Sequence, residues 1–241
     1  MASVALAVLV ALAASCSTTG LVKQYEYEEE IYLALDGSAT VYVNASLYAL
    51  KALRGLDVDV SPTSRFDRAG VRRLFESPVT EVTRVSRPWR RSGRRFVQVR
   101  VEVADISRLS EVAPFAWSAY SLTSEGNVHV YKQRVGDSAR GDTSAAGWRG
   151  DELAAVRLHL PSKIQYHNAT SRKVDRGNIL AFEQSLVDRL RGVPLDIEVR
   201  MEGESILYRT LLVFGIAVAA ALALLAAAIW WVVLKGRRQT A

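Results

Sequence analysis

Val97-Gln98-Val99-Arg100-Val101-Glu102-Val103 places valine at every second position and a polar residue at each position between. That period belongs to a strand with one face in a core and the other in solvent, because successive side chains leave the pleat on opposite sides. The same alternation runs through Ile31, Leu33 and Leu35 and resumes at Val41 and Val43. Asp36-Gly37 between those runs is a turn signal and predicts an antiparallel hairpin. Further strands are expected over Val79–Arg87, Ser118–Thr123, Asn127–Arg134, Ala154–Leu160 and Leu195–Met201, with Glu125-Gly126-Asn127 as a second hairpin turn.

Helical spacing is rarer. Ser46–Leu53 carries Leu47, Leu50 and Leu53, Ser64–Phe75 opens with Ser64 and Asp67 in a capping-box-like start, and Glu183–Arg191 is stopped by Gly192 and Pro194. The expected class is α+β, a mostly antiparallel sheet with a few short helices, plus one C-terminal transmembrane helix. Gly136–Asp151, rich in Gly, Ser, Ala and Asp, reads as a flexible loop within the 16–205 body. Whether the chain after it returns strands to the first sheet is left open by periodicity; two or three strands bury too little to favour independence.

Both ends of the 241-residue chain address a membrane. Leu211–Leu234 holds 24 consecutive residues without an ionisable side chain, about 36 Å of helix against a hydrocarbon core of roughly 30 Å. A transmembrane helix is therefore expected over 206–234, followed by a basic tail, 235–241, with Lys235, Arg237 and Arg238. Trp230 and Trp231 sit where indoles favour the headgroup layer, and the positive-inside bias leaves the C-terminus cytoplasmic and the body extracytoplasmic. Val4–Ala14 is an apolar run of 11 residues, too short to span but suited to the core of a secretory signal over residues 1–15. Cys16, the only cysteine, follows Ala13-Ala14-Ser15 as in a bacterial lipobox and is the expected lipidation site. Cleavage of an ordinary signal near Ala14 or later is the alternative. A spanning helix overrides any outer-membrane sorting by Ser17, so the expected location is the cytoplasmic (inner) membrane, crossed once.

No constellation of chemistry-bearing residues emerges, so no catalytic residue, metal ligand or cofactor is assigned and the chain is read as non-enzymatic. His129, His159 and His167 lack ligand spacing, and Gly136-Asp137-Ser138 lacks the second glycine of a nucleophile elbow. Asp57 and Asp59 mimic a cation site or describe one exposed strand edge. Arg140-Gly141-Asp142 and Arg149-Gly150-Asp151 are accounted for by chance in such a loop. Glu26, Glu28, Glu29 and Glu30 read as charges that keep an edge strand soluble.

The strongest charge feature is Arg87-Pro88-Trp89-Arg90-Arg91-Ser92-Gly93-Arg94-Arg95, the tip between two strands. Arg87, Arg90, Arg91, Arg94 and Arg95 with Trp89 form a candidate anion- or headgroup-binding tip, with a solvated hairpin turn as the plain alternative. The formal net charge of +6 does not point to nucleic acid, because an exported body meets lipid headgroups and acidic glycans instead.

Leu35-Asp36-Gly37-Ser38-Ala39, the strand ending in Asp105-Ile106-Ser107, Leu158-His159-Leu160-Pro161 leading to Asn168, and Arg176-Gly177-Asn178-Ile179-Leu180-Ala181-Phe182 together give the chain a likeness. It resembles the LppM-type lipoprotein domain family of actinobacteria and relatives, with Phe182 where that family usually has Trp. The resemblance implies binding of envelope lipid or glycolipid in an apolar concavity. The rival expectation is a protein-interaction module that organises an envelope complex, with the alanine-rich helix around Gly215 as a second partner surface.

Overall fold

A computed structural model describes residues 23–171, 174–175 and 178–239. Cys16 and the expected signal segment lie outside the described residues. Strand β1 (Tyr25–Leu33) pairs antiparallel with β2 (Ala39–Ser46) across Asp36-Gly37, where Gly37 adopts φ 89°. Helices α1 (Leu47–Arg54) and α2 (Arg68–Phe75) precede β3 (Thr80–Val85), the short β4 (Trp89–Arg91) and the valine-alternating β5 (Arg94–Val103). Then follow β6 (Ser118–Glu125), β7 (Val128–Val135), β8 (Leu153–His159), β9 (Ser162–His167), β10 (Ile179–Ser185), α3 (Leu186–Leu190), β11 (Leu195–Ser205) and α4 (Ile206–Gln239). The class is α+β with mostly antiparallel sheets, as the alternation predicts; β1 with β8 is the single parallel pairing among the described strands.

The strands form two sheets: one in the order β10-β8-β1-β2-β5-β3, with β4 also on β5, the other β6-β7-β11-β9. The chain after residue 151 thus returns strands to both. Val97, Val99, Val101 and Val103 are buried, and Tyr131, Ile197, Val199 and Met201 of the second sheet join the same apolar cluster. Helix α1 covers it with Leu47, Leu50 and Leu53. Its cap explains its start: buried Ser46 accepts a hydrogen bond from the Ala49 amide at 3.0 Å, and Gly55 ends it with φ 67°. Ser46→Ala is expected to cost about 1 kcal/mol in urea unfolding, the usual loss when an N-cap oxygen is removed.

Several expectations require correction. Helix α2 starts at Asp67, whose Oδ1 accepts from the Gly70 amide at 2.8 Å; Ser64 stays in the loop before it. Glu183, Gln184 and Ser185 belong to β10, and Ser185 caps α3. The 136–151 segment, expected to be flexible, has no helix or strand but is tied down. Ser138 and Ala146 are buried, the Trp148 indole donates to Glu26 at 3.0 Å, and Ala139 and Gly141 amides bond to α1 carbonyls. Gly141 lies so close to that backbone that a Cβ would meet the Lys51 carbonyl oxygen at 2.9 Å, which packs the Arg140-Gly141-Asp142 tripeptide against a helix.

Finally, β1 is an interior strand, not an edge. Glu26 and Glu29 are both fully buried, and each is held by an arginine.

Candidate functional site

The arginine tip splits into two populations. Arg94 is 7% exposed and points inward: its Nε and Nη2 donate to Glu26 at 3.0 and 2.9 Å, its Nη1 donates to the Ala146 and Gly147 carbonyls, and Glu152 lies 3.6 Å away. Arg95 is equally buried and donates to the Ser64 and Asp59 carbonyls and to Ser64 Oγ. Both are structural ties between the start of β5 and neighbouring segments. Two of the six residues assigned to an anion-binding tip are therefore withdrawn from solvent by partners their own neighbourhood in sequence does not contain.

Trp89, Arg90, Arg91 and Arg87 remain on the surface. The Phe96 ring contacts both the Trp89 ring, centroids 5.9 Å apart, and the Arg91 guanidinium, 4.2 Å from the ring centroid. Arg90 donates to the Pro62 carbonyl at 2.9 Å, and Arg87 is exposed with no hydrogen bond or ion pair among the described residues. Pro88 forms one wall of a surface groove of about 570 Å³ whose other lining comes from Arg65, Phe66, Asp67, Arg68 and Ala69 at the start of α2. Arg65 and Arg68 were missed by sequence reading; they flank a capping Asp, and no local pattern links them to residues some twenty positions downstream. The candidate site is thus a groove with Arg65, Arg68 and Asp67 in its lining and Phe66 as its aromatic wall; through Pro88 it adjoins the hairpin that carries Arg87, Trp89, Arg90 and Arg91.

Its position follows from the register. Phe96 lies beside Ser46 and Val103 beside Ala39, while Ala39 pairs with Leu33 and Tyr32 with His159. The other end of the sheet therefore runs into Leu160 and Pro161, and the Ile206 amide, the first of α4, donates to the Pro161 carbonyl at 3.0 Å. The basic groove and the origin of α4 occupy opposite ends of one sheet, separated by the length of the ten-residue β5, about 30 Å of strand.

Helix α4 follows β11 with no intervening residue: the chain is strand up to Ser205 and helix from Ile206. Its stretch Ile206–Trp231 is long and apolar enough to cross a membrane, and none of it is buried against the body.

The helix-proximal end carries His159 stacked on the exposed Tyr32, centroids 3.8 Å apart, with Glu30 at 4.0 Å. Burial, aided by the Arg157 charge, holds the His159 imidazole below its ordinary value of 6.5 despite that carboxylate. The folded state thus binds this proton less readily than the unfolded one. The resulting stability is fully present above about pH 6.5 and is lost as pH falls through the lowered value. Replacing His159 by Gln is expected to flatten the unfolding midpoint below pH 6.5 relative to the parent, as read by a urea series.

Between the sheets lies a buried polar network. Glu29 accepts from Tyr27 and Tyr120 hydroxyls at 3.0 Å each, from Gln133 at 3.1 Å and from Arg54 at 3.3 Å; Tyr131 donates to Gln133 at 2.9 Å. Burial pushes the Tyr27, Tyr120 and Tyr131 hydroxyls above the ordinary tyrosine range, which keeps them protonated donors. Arg54 lies over the Tyr27 ring at 4.5 Å; burial would lower its guanidinium, and Tyr27 and Glu29 more than offset it. Arg189 is 4% exposed and donates to the Val135, Gly136 and Val193 carbonyls and to Gln184. Burial and the Arg54 charge bring it down to about 10. A cavity of about 20 Å³ adjoins both arginines, room for roughly one water-sized occupant.

No protein-family model matches the chain, and no curated protein matches it. Among solved structures, the folded domain of the Mycobacterium tuberculosis LppM protein, determined by NMR, is similar over 77% of this chain and 94% of that one, at 12% identity and a TM-score of 0.42. The relationship is structural and distant.

Proposed function

We propose that the chain is a non-catalytic, membrane-tethered envelope protein whose extracytoplasmic body stands on the bilayer by one end of its larger sheet. At the other end it presents the basic groove to an acidic protein partner. The supporting observation is the opposition of groove and helix: α4 leaves beside Pro161, whereas Arg65, Arg68, Arg87 and Trp89 sit at the far end of β5. A tip that bound headgroups of its own membrane would belong at the near end. Arginine and tryptophan around a groove also suit a protein contact, where these two residue types dominate hot spots.

Binding of a lipid or glycolipid stays as the second reading, favoured by the exposed cations and disfavoured by the distance of the groove from the origin of α4. A photoreactive residue in place of Trp89 in the full chain, activated in native membranes, distinguishes them. The proposal expects a discrete protein adduct that is lost in a chain carrying Arg65→Glu, Arg68→Glu and Arg87→Glu. Adducts to lipid alone, or a protein adduct indifferent to those three changes, would refute it.

A further inference from the structure

We propose that the cavity between Arg54 and Arg189 is a binding site for a monatomic anion of chloride size. Arg54 and Arg189 are 6% and 4% exposed, and of the two only Arg54 pairs with a carboxylate, that of Glu29. Glu29 is already saturated by Tyr27, Tyr120, Gln133 and Arg54. Arg189 reaches only backbone carbonyls and the Gln184 amide oxygen, with no carboxylate at ion-pair distance among the described residues. Asp137, the acidic group nearest to it in effect, is half exposed and committed to Arg140 at 3.1 Å.

One buried positive charge is thus left without a buried counter-charge, an arrangement that is costly unless something compensates it. The cavity lies where compensation is needed. Arg54 and Arg189 both line it, together with Tyr27 and Ser138, and the remaining wall is apolar: Leu53, Val135, Ala154, Ala155, Val156 and Leu195. Arg54 Nε is buried and has no acceptor, so at least one N–H of a wall residue is unused. A volume near 20 Å³ admits a single small sphere. A water fits as well, but it brings dipoles and no charge. The site would act as a structural counter-ion position at the seam where α1, α3 and β8 meet.

The test is thermal unfolding of the full chain in detergent at constant ionic strength, with sodium gluconate exchanged stepwise for sodium chloride. A specific site predicts a saturable rise in Tm of about 5 °C once chloride is well above its dissociation constant. That rise should be absent in Arg189→Met, and also in Ala154→Val, which fills the cavity while keeping both arginines. If Arg189→Met does not fold, the second variant decides alone. Excess chloride NMR line width in the parent, displaced by bromide and missing in Ala154→Val, is the matching direct readout. Equal Tm in both salts, or a chloride effect of the same size in the parent and in Ala154→Val, would overturn the assignment and leave the cavity to water.

Discussion

Glu29→Gln is expected to destabilise the body by about 3–5 kcal/mol, because it leaves the Arg54 guanidinium buried without its counter-charge. The change preserves shape and loses charge, so the loss is electrostatic in origin, not a packing defect. The carboxylate stands on β1 and gathers donors from its own strand, from α1 and from β6 and β7 of the other sheet. It therefore fixes how the two sheets face one another as well as balancing a charge. In a chain of this size a loss of that order lowers Tm by roughly 10 °C, which calorimetry or tyrosine fluorescence reads directly. A change below about 1 kcal/mol, the range of an exposed ion pair, would mean that water reaches Glu29.

Arg94→Ala is the second large effect, about 3–5 kcal/mol, since two fully buried carboxylates, Glu26 and Glu152, lose the cation between them. Arg87→Ala, seven residues earlier in the same arginine run, is expected within about 0.5 kcal/mol of the parent, as usual for a surface side chain without partners. Urea unfolding of both variants separates a structural arginine from a presented one. Because Trp148 also donates to Glu26, Arg94→Ala should additionally loosen the 136–151 segment, visible as faster amide exchange at Arg149 and Gly150, whose amides Glu152 accepts.

Local pattern revealed the part of the structure that local pattern determines. The valines of β5 alternate within one strand, and the apolar run of α4 is uninterrupted, so the fold class and a helix long and apolar enough to cross a membrane followed from short windows. Glu29 could not be placed in this way. Its surroundings, Tyr-Glu-Glu-Glu, are those of a solvated strand, and the groups that draw it into the core lie 25, 91 and 104 residues away at Arg54, Tyr120 and Gln133. Arg94 and Arg95 turn inward for the same reason, since their acceptors at Glu26, Ser64 and Ala146 come from elsewhere in the chain. Strand β9 was not legible because an edge strand with only Ile164 and Tyr166 as large apolar residues shows almost no alternation. In β10 the helical spacing of Leu186, Val187 and Leu190 drew the boundary back to Glu183. The physical start of α3 is the Ser185 hydroxyl, which accepts from the Asp188 amide. The basic groove could not have been read at all, because it is assembled from α2 and the β3–β4 connection only by folding.

The orientation of the body carries the functional proposal, and one measurement addresses it. With Cys16→Ser as background, nitroxide labels at Lys163→Cys, beside the origin of α4, and at Arg90→Cys, on the hairpin, are compared in the full chain reconstituted into vesicles bearing nickel-chelating headgroups. A body standing on the helix-proximal end of its sheet predicts strong relaxation of the label at 163 and none at 90. Relaxation at 90 equal to or greater than that at 163 would place the arginine hairpin on the bilayer and contradict that orientation.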